Sequence, residues 1–189
     1  MSKPRTAARS KKKKPARVTH SIAHYLKAIR KLLNERGYAR AVDVAEELGI
    51  SRSAAHMGLK VLKDKGMVIE DERHFFKLPE EYMNLAMRLE GNLTTLQTFF
   101  HDILGVDSDE AHETACRMEH QLSPEAALRL MAFIRYLQAH PEGLAMIAHY
   151  HKVRDDICRH TQAENCTLCE AYETCPLEHL PPPAPSSEK

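Results

Sequence analysis

Nowhere does this 189-residue chain carry an apolar run approaching the ~18–20 residues that a membrane-spanning helix needs, so no membrane partner is expected. Its basic start is not followed by an apolar h-region, which sets aside a secretory signal and makes a cytoplasmic location the expectation. Internal repeats are absent. So is any Gly-rich loop of the kind that cradles an oxyanion or a phosphate. Cys116 and His120, four apart on one predicted helix, could act as nucleophile and base, but without such a loop or a substrate cleft an enzyme is not expected. Acids are missing from residues 1–17, which hold eight of the 27 Lys and Arg. The remainder has 19 basic and 26 acidic residues, a balance of −7. A basic arm on an acidic body fits a tail that meets a polyanion, or one that only solubilises the chain.

What is present is an ordinary globular composition, 43% hydrophobic and 28% charged, in a chain long enough to bury a core. The expected fold is mainly α: an N-terminal winged helix-turn-helix followed by an all-helical dimerisation and metal-binding domain. Residues 1–18 read as a disordered basic arm. Residues 19–78 read as a winged-helix DNA-binding domain. A helix from about Ser21 to Glu35 is capped by Ser21, carries an apolar stripe of Ile22, Leu26, Ile29 and Leu33, and ends at Gly37. Two short helices follow, Ala41–Leu48 and Ser51–Lys65, with Gly49 permitting a sharp turn and Ser51 capping the second. Ser51, Arg52, Ser53, His56 and Lys60 on that second helix are the candidate DNA-contacting residues. Met67–Asp71 and His74–Leu78 read as two short strands around a turn, which completes the wing.

Residues 79–140 read as the helical metal-binding and dimerisation domain. Pro79 opens a helix that Gly91 and Asn92 break. Leu93–Leu104 then stops at Gly105, and Ser108 caps the next helix. Ser123-Pro124-Glu125 starts another, whose Leu128, Met131, Ile134 and Leu137 suit a homodimer interface or a buried face of the monomer. Residues 141–180 would hold an extra helix and a cysteine-rich module, and residues 181–189 a disordered tail.

The segment with the most chemistry is His112-Glu-Thr-Ala-Cys-Arg-Met-Glu-His. On a helix, His112, Cys116, Glu119 and His120 share one stripe, and all four are metal-ligand types suited to Fe(II), Co(II), Ni(II) or Zn(II). Partly exposed polar residues on an ordinary helix are the alternative.

The order of parts resembles the diphtheria-toxin-repressor and manganese-transport-regulator family (DtxR/MntR) of metal-dependent transcriptional repressors, over about residues 19–137. The resemblance rests on Tyr25-Leu-Lys-Ala-Ile, on the run from Glu35-Arg-Gly-Tyr through Glu47-Leu-Gly, on Phe100-His-Asp-Ile-Leu-Gly-Val-Asp, and above all on His112 to Ser123. It implies a homodimer on a palindromic operator in double-stranded DNA, with metal promoting repression of metal-homeostasis genes. It also implies a principal metal site made of Cys116, Glu119 and His120, with His24 where known members mostly have Met or Asp. Cys116 resembles the iron-responsive branch, so Fe2+ is favoured, with Mn2+, Zn2+, Co2+ or Ni2+ as other candidates. The second site of the family falls on Leu93 and Gln97, and Lys27 stands where the manganese branch has an acid. Only His112 survives as a possible ancillary ligand, so one site per subunit is expected.

The resemblance says nothing of Cys158, Cys166, Cys169 and Cys175. Their C-x7-C-x2-C-x5-C spacing could hold Zn2+ or an iron–sulfur cluster, the latter making the chain an iron or redox sensor. Reduced, unpaired thiols are the bland reading.

Overall fold

The computed structural model describes residues 18–154, which form seven α-helices, one π-helical turn and two two-residue strands. They divide into two compact units. The first takes in the described residues up to Asn92 together with Glu119–Gln121, and the second Leu93–Met118 and the described residues from Leu122 on. Residues 1–17 and 155–189 lie outside the described part, and with them the expected arm, the cysteine module and the C-terminal tail.

The first unit opens with α1 (His20–Arg36). Its cap is Thr19, two residues earlier than the expected Ser21: the Thr19 hydroxyl accepts from the Ile22 amide at 3.4 Å. Gly37 ends the helix in a left-handed conformation (φ 76°), which an L side chain rarely adopts, and donates its N–H to the Leu33 carbonyl. The buried stripe is Ile22, Leu26, Ile29 and Leu32, with the expected Leu33 half-buried and packed against the same core. The stripe packs with Val44 of α2 (Ala41–Leu48), Leu59 and Leu62 of α3 (Arg52–Asp64), Met67, Val68 and Phe76. Each such side chain contributes roughly 1.5–3 kcal/mol of burial.

Gly49 (φ 64°) makes the turn between α2 and α3, and the Ser51 hydroxyl caps α3 by accepting from the Ala54 amide at 3.1 Å. The wing is a minimal antiparallel pair, β1 (Ile69–Glu70) and β2 (Phe76–Lys77), shorter than the sequence suggests. The turn consumes the missing residues: the Asp71 carboxylate accepts from the Arg73 and Phe75 amides, both at 3.0 Å. A hydrogen bond from the Phe76 amide to the Ala39 carbonyl ties the wing to the entry of α2.

Two expectations fail farther along. First, α4 (Glu80–Thr98) runs unbroken through Gly91 and Asn92. One glycine costs a helix only about 1 kcal/mol, and the Asn92 side chain is used elsewhere, donating to the Glu119 carbonyl at 2.9 Å. Second, α5 (Ser108–Met118) stops before Glu119 and His120, which lie in the turn that follows, so no single helical stripe reaches from His112 to His120. The reason is downstream. Ser123 must be extended (φ −68°, ψ 152°) to cap α6 (Pro124–Ala139), and a residue before proline disfavours the helical region, so α5 needs room to end. The cap of α5 is also not Ser108: the Asp107 carboxylate accepts from the Asp109 amide at 2.9 Å.

In the second unit a π-helical turn, Phe99–Ile103, follows α4 and ends at Gly105 (φ 68°). Ile103, Ile134 and Leu137 form its core, with Phe99, Leu104, Leu130 and Ile147 packed around them. Of the expected face on α6, Ile134 and Leu137 are buried and Leu128 is exposed. Helix α7 (Pro141–Val153) begins at Pro141, and Gly143 lies so close to the Leu137 backbone that an added Cβ would meet its carbonyl oxygen at 2.2 Å. The end of α7 is held by His151, whose Nε2 donates to the Ile103 carbonyl at 3.0 Å, and by Arg154, whose guanidinium donates to the Leu104 and Gly105 carbonyls.

Candidate metal centre

In the first unit, α1 brings its opening turn to the Glu119–Gln121 segment. Glu119 is fully buried, at 0% exposure, an uncommon place for a carboxylate. One of its oxygens, Oε1, is ion-paired with the Lys27 ammonium. The other, Oε2, is buried and has no hydrogen-bond partner among the described residues, and the same is true of His120 Nδ1. Buried polar atoms left without partners are costly, and each calls for an occupant. Burial pushes the Glu119 carboxyl above its ordinary range, against the pull of Lys27 and His20. Burial lowers the affinity of His120 for a proton, with the charges at His20 and Lys27 acting in the same sense.

His24, the candidate from α1, has its Nε2 3.1 Å from the Nε2 of His20, one helical turn earlier. The His20 ring in turn lies 5.7 Å, centre to centre, from the His120 ring. In the first unit His20 and His24 thus stand together on α1, with the His120 ring near that of His20 and Glu119 next to His120 in the chain. Imidazole and carboxylate are both donor types that divalent transition metals take. His24, Glu119 and His120 are candidates from sequence, and the structure sets His20, which is not, beside His24. The signal was available, since His20 and His24 stand at the i, i+4 spacing that places two side chains on one face of a helix.

The remaining candidates belong to the second unit. Cys116 is a half-buried thiol near the end of α5. His112, one turn earlier, has its Nδ1 at 3.3 Å from the Gln97 side-chain oxygen. Cys158, Cys166, Cys169 and Cys175 fall outside the described residues. On α3, the candidate DNA-contacting residues Ser51, Arg52, Ser53, His56 and Lys60 are all exposed, while Ala55, Leu59 and Leu62 hold the opposite face in the core. Two exposed apolar side chains accompany them, Met57 and Val61. The thymine methyl is the base-edge feature that such groups meet in a major groove.

Comparison with known proteins bears on the two domains and the family. Residues 17–74 match a family model described as the N-terminal DNA binding domain of iron dependent repressors. Residues 83–148 match the one described as their metal binding and dimerisation domain. Both matches end before Cys158. The chain is 30% identical over 127 residues to the HTH-type transcriptional regulator MntR of Listeria welshimeri, a match spanning 67% of this chain and 88% of that protein. The MntR of Listeria innocua is 27% identical over 139 residues, 73% of this chain and 96% of that one. Among solved structures, the manganese regulator SloR superposes with a TM-score of 0.55 at 26% identity. That match takes in 62% of this chain and 54% of the solved one, so the chain spans about half the length of that relative. These relatives are regulators of transcription, not enzymes. No helix among the described residues is long and apolar enough to cross a membrane. With a DNA-binding and a dimerisation domain matched in order and a relative of this identity covered almost end to end, the chain belongs to the DtxR/MntR family of metal-dependent transcriptional repressors.

Proposed function

We propose that this member of the family is an iron-responsive repressor of metal-homeostasis genes, with one principal metal site per subunit built on His24, Cys116, Glu119 and His120. The observation that carries the reading is the pair of buried, partnerless donor atoms, Glu119 Oε2 and His120 Nδ1, beside the histidines of α1. Cys116 enters on the family motif, three residues before Glu119. Relatives of this chain are described both as iron dependent and as manganese regulators. Donor chemistry favours iron here, since imidazole and thiolate suit Fe(II) whereas Mn(II) prefers oxygen. Lys27 is a cation at the site, and like-charge repulsion argues against a second divalent ion beside the first.

The roles follow from the residues. Residues 19–78 read DNA through the exposed face of α3, and residues 79–140 supply the remaining ligands and the dimer contact. A metal bonded both to α1 and to the Glu119–His120 turn fixes that turn against the DNA-binding helices. Metal shifts the balance toward the DNA-competent form only by its preference for that form. Two α3 helices of a homodimer then reach successive half-sites of a palindromic operator. The C-terminal cysteines enter no step of this reading, and no observation favours a cluster there.

The test is a set of DNA-binding titrations without oxygen, on operator duplexes selected from random sequence, using metal-free protein and protein loaded with Fe(II), Mn(II) or Zn(II). Tight binding that needs Fe(II), and that Glu119→Gln and His120→Ala remove, is the expected result. Equal binding with and without metal would refute metal control. A response to Mn(II) alone would refute the choice of iron.

A further inference from the structure

We propose that His20 is itself a ligand of this metal centre, and that its imidazole biases the site toward Fe(II), Co(II), Ni(II) and Zn(II) and against Mn(II). The inference rests on the metal reading above and adds to it a donor outside the motif that identifies the family.

Three features of the first unit carry it. His20 and His24 stand one turn apart on α1, and their Nε2 atoms are 3.1 Å apart. With metal–nitrogen bonds of about 2.0–2.1 Å, two nitrogens at that separation subtend an angle of about 95–100° at a shared ion, within the range of four- to six-coordinate centres. A metal-free hydrogen bond between them needs one nitrogen protonated and the other bare. A metal replaces that proton and is shared by both lone pairs. His20 also neighbours His120, ring centres 5.7 Å apart, and His120 Nδ1 and the adjacent Glu119 Oε2 are buried without hydrogen-bond partners among the described residues. His20 thus has His24 on one hand and His120 of the turn on the other. Finally, the Glu119 oxygen not free for metal is already held by Lys27, so nitrogen outnumbers oxygen among the donors available in this unit. Affinity for a nitrogen-rich site rises from Mn(II) toward the later divalent metals, so each added imidazole widens the gap.

His20 is exposed and is the first residue of α1, with the cap on Thr19, so removing its ring leaves the helix and the core in place. The experiment uses full-length, metal-free protein under anaerobic conditions. Co(II), Zn(II) and Mn(II) affinities are measured by competition titration for the wild type, His20→Ala and Glu119→Gln, and the visible bands of the Co(II) forms are recorded. His20→Ala is expected to weaken Co(II) and Zn(II) by at least about tenfold, comparable with losing a residue that merely supports a ligand. It should weaken Mn(II) by less than about threefold, given the order of metal preference, and should shift the Co(II) bands. Unchanged Co(II) affinity and bands in His20→Ala, with binding lost in Glu119→Gln, would overturn the role of His20 and leave the metal centre standing. An equal loss for all three ions would overturn the selectivity. Failure of the wild type to bind any of them would overturn the metal reading along with it.

Discussion

At the scale of single residues, Glu119 shows how this protein tolerates a charge where the solvent does not reach. Lys27, itself only 14% exposed, neutralises one oxygen, and the other has no hydrogen-bond partner among the described residues. Removing one partner of a buried pair strands the other, at a cost of about 3–5 kcal/mol when the charge is kept. Metal-free Lys27→Met is therefore expected to be markedly less stable than the wild type to urea. Zn(II) should restore more stability to it than it adds to the wild type, because metal takes over the compensation. Equal increments in the two proteins would count against this account. A second buried carboxylate, Asp43, is held by Arg40 through a side-chain bond at 2.9 Å, with the Arg40 amide and Arg36 also contributing. These partners keep its carboxyl below its ordinary range. A lowered pKa in the folded state means that the added stability is whole at neutral pH. It begins to fade as pH drops toward the unfolded value of about 3.9, and it is gone below the folded one. The difference in melting temperature between wild type and Asp43→Asn should therefore shrink from pH 5 downward. A gap that stays constant to pH 3 would show that Asp43 acts through shape alone. From sequence, Glu119 and His120 were legible as candidate ligands, but the pairing of Glu119 with Lys27 was not. Their burial depends on a turn whose cause, Ser123-Pro124, lies beyond them.

The elements are coupled by close approaches that a sequence does not announce. Gly58, in the middle of α3, looks like a flaw in a helix. In the fold it is the space into which Tyr25 of α1 fits, with the tyrosine hydroxyl donating to the Ala54 carbonyl at 3.1 Å. A Cβ at position 58 would sit 2.2 Å from that hydroxyl oxygen and 2.3 and 2.8 Å from ring carbons Cζ and Cε2. Tyr25 directly follows His24, so the residue beside a proposed metal ligand is the one that seats α3. Gly58→Ala is expected to destabilise the protein by roughly 1–3 kcal/mol, the usual cost of overfilling a packed site. Adding Tyr25→Phe should not rescue it, because the ring carbons remain in the way. Rescue by Tyr25→Phe in thermal melts would place the conflict at the hydroxyl alone. The helix-turn-helix itself was readable, since Gly49 and Ser51 are local signals. The continuity of α4 was not, because a Gly-Asn pair that breaks many helices is here a cheap interruption with the asparagine committed to Glu119.

Over the whole molecule the charge is split, eight cations and no acid in residues 1–17 against a remainder at −7. If those cations reach phosphates, each contact releases counterions, and log K for DNA falls more steeply with log salt by about 0.9 per phosphate. Deleting residues 1–17 is expected to flatten the salt dependence by more than about one unit of slope while leaving metal affinity unchanged. An unaltered slope would show that the arm serves only solubility. Fold class and family were legible at this scale because the helical periodicities and the ligand motif agree with one another. The split into units was not, since the first one takes back three residues, Glu119–Gln121, after the chain has left it. That return has a consequence for synthesis. Lys27 and Glu119 are 92 residues apart in sequence. At the usual pace of 5–20 residues per second, a ribosome needs roughly 5–20 s to deliver the second after the first. Through that interval the nascent DNA-binding unit lacks the carboxylate that pairs with Lys27, so it cannot be finished until translation has passed well beyond it.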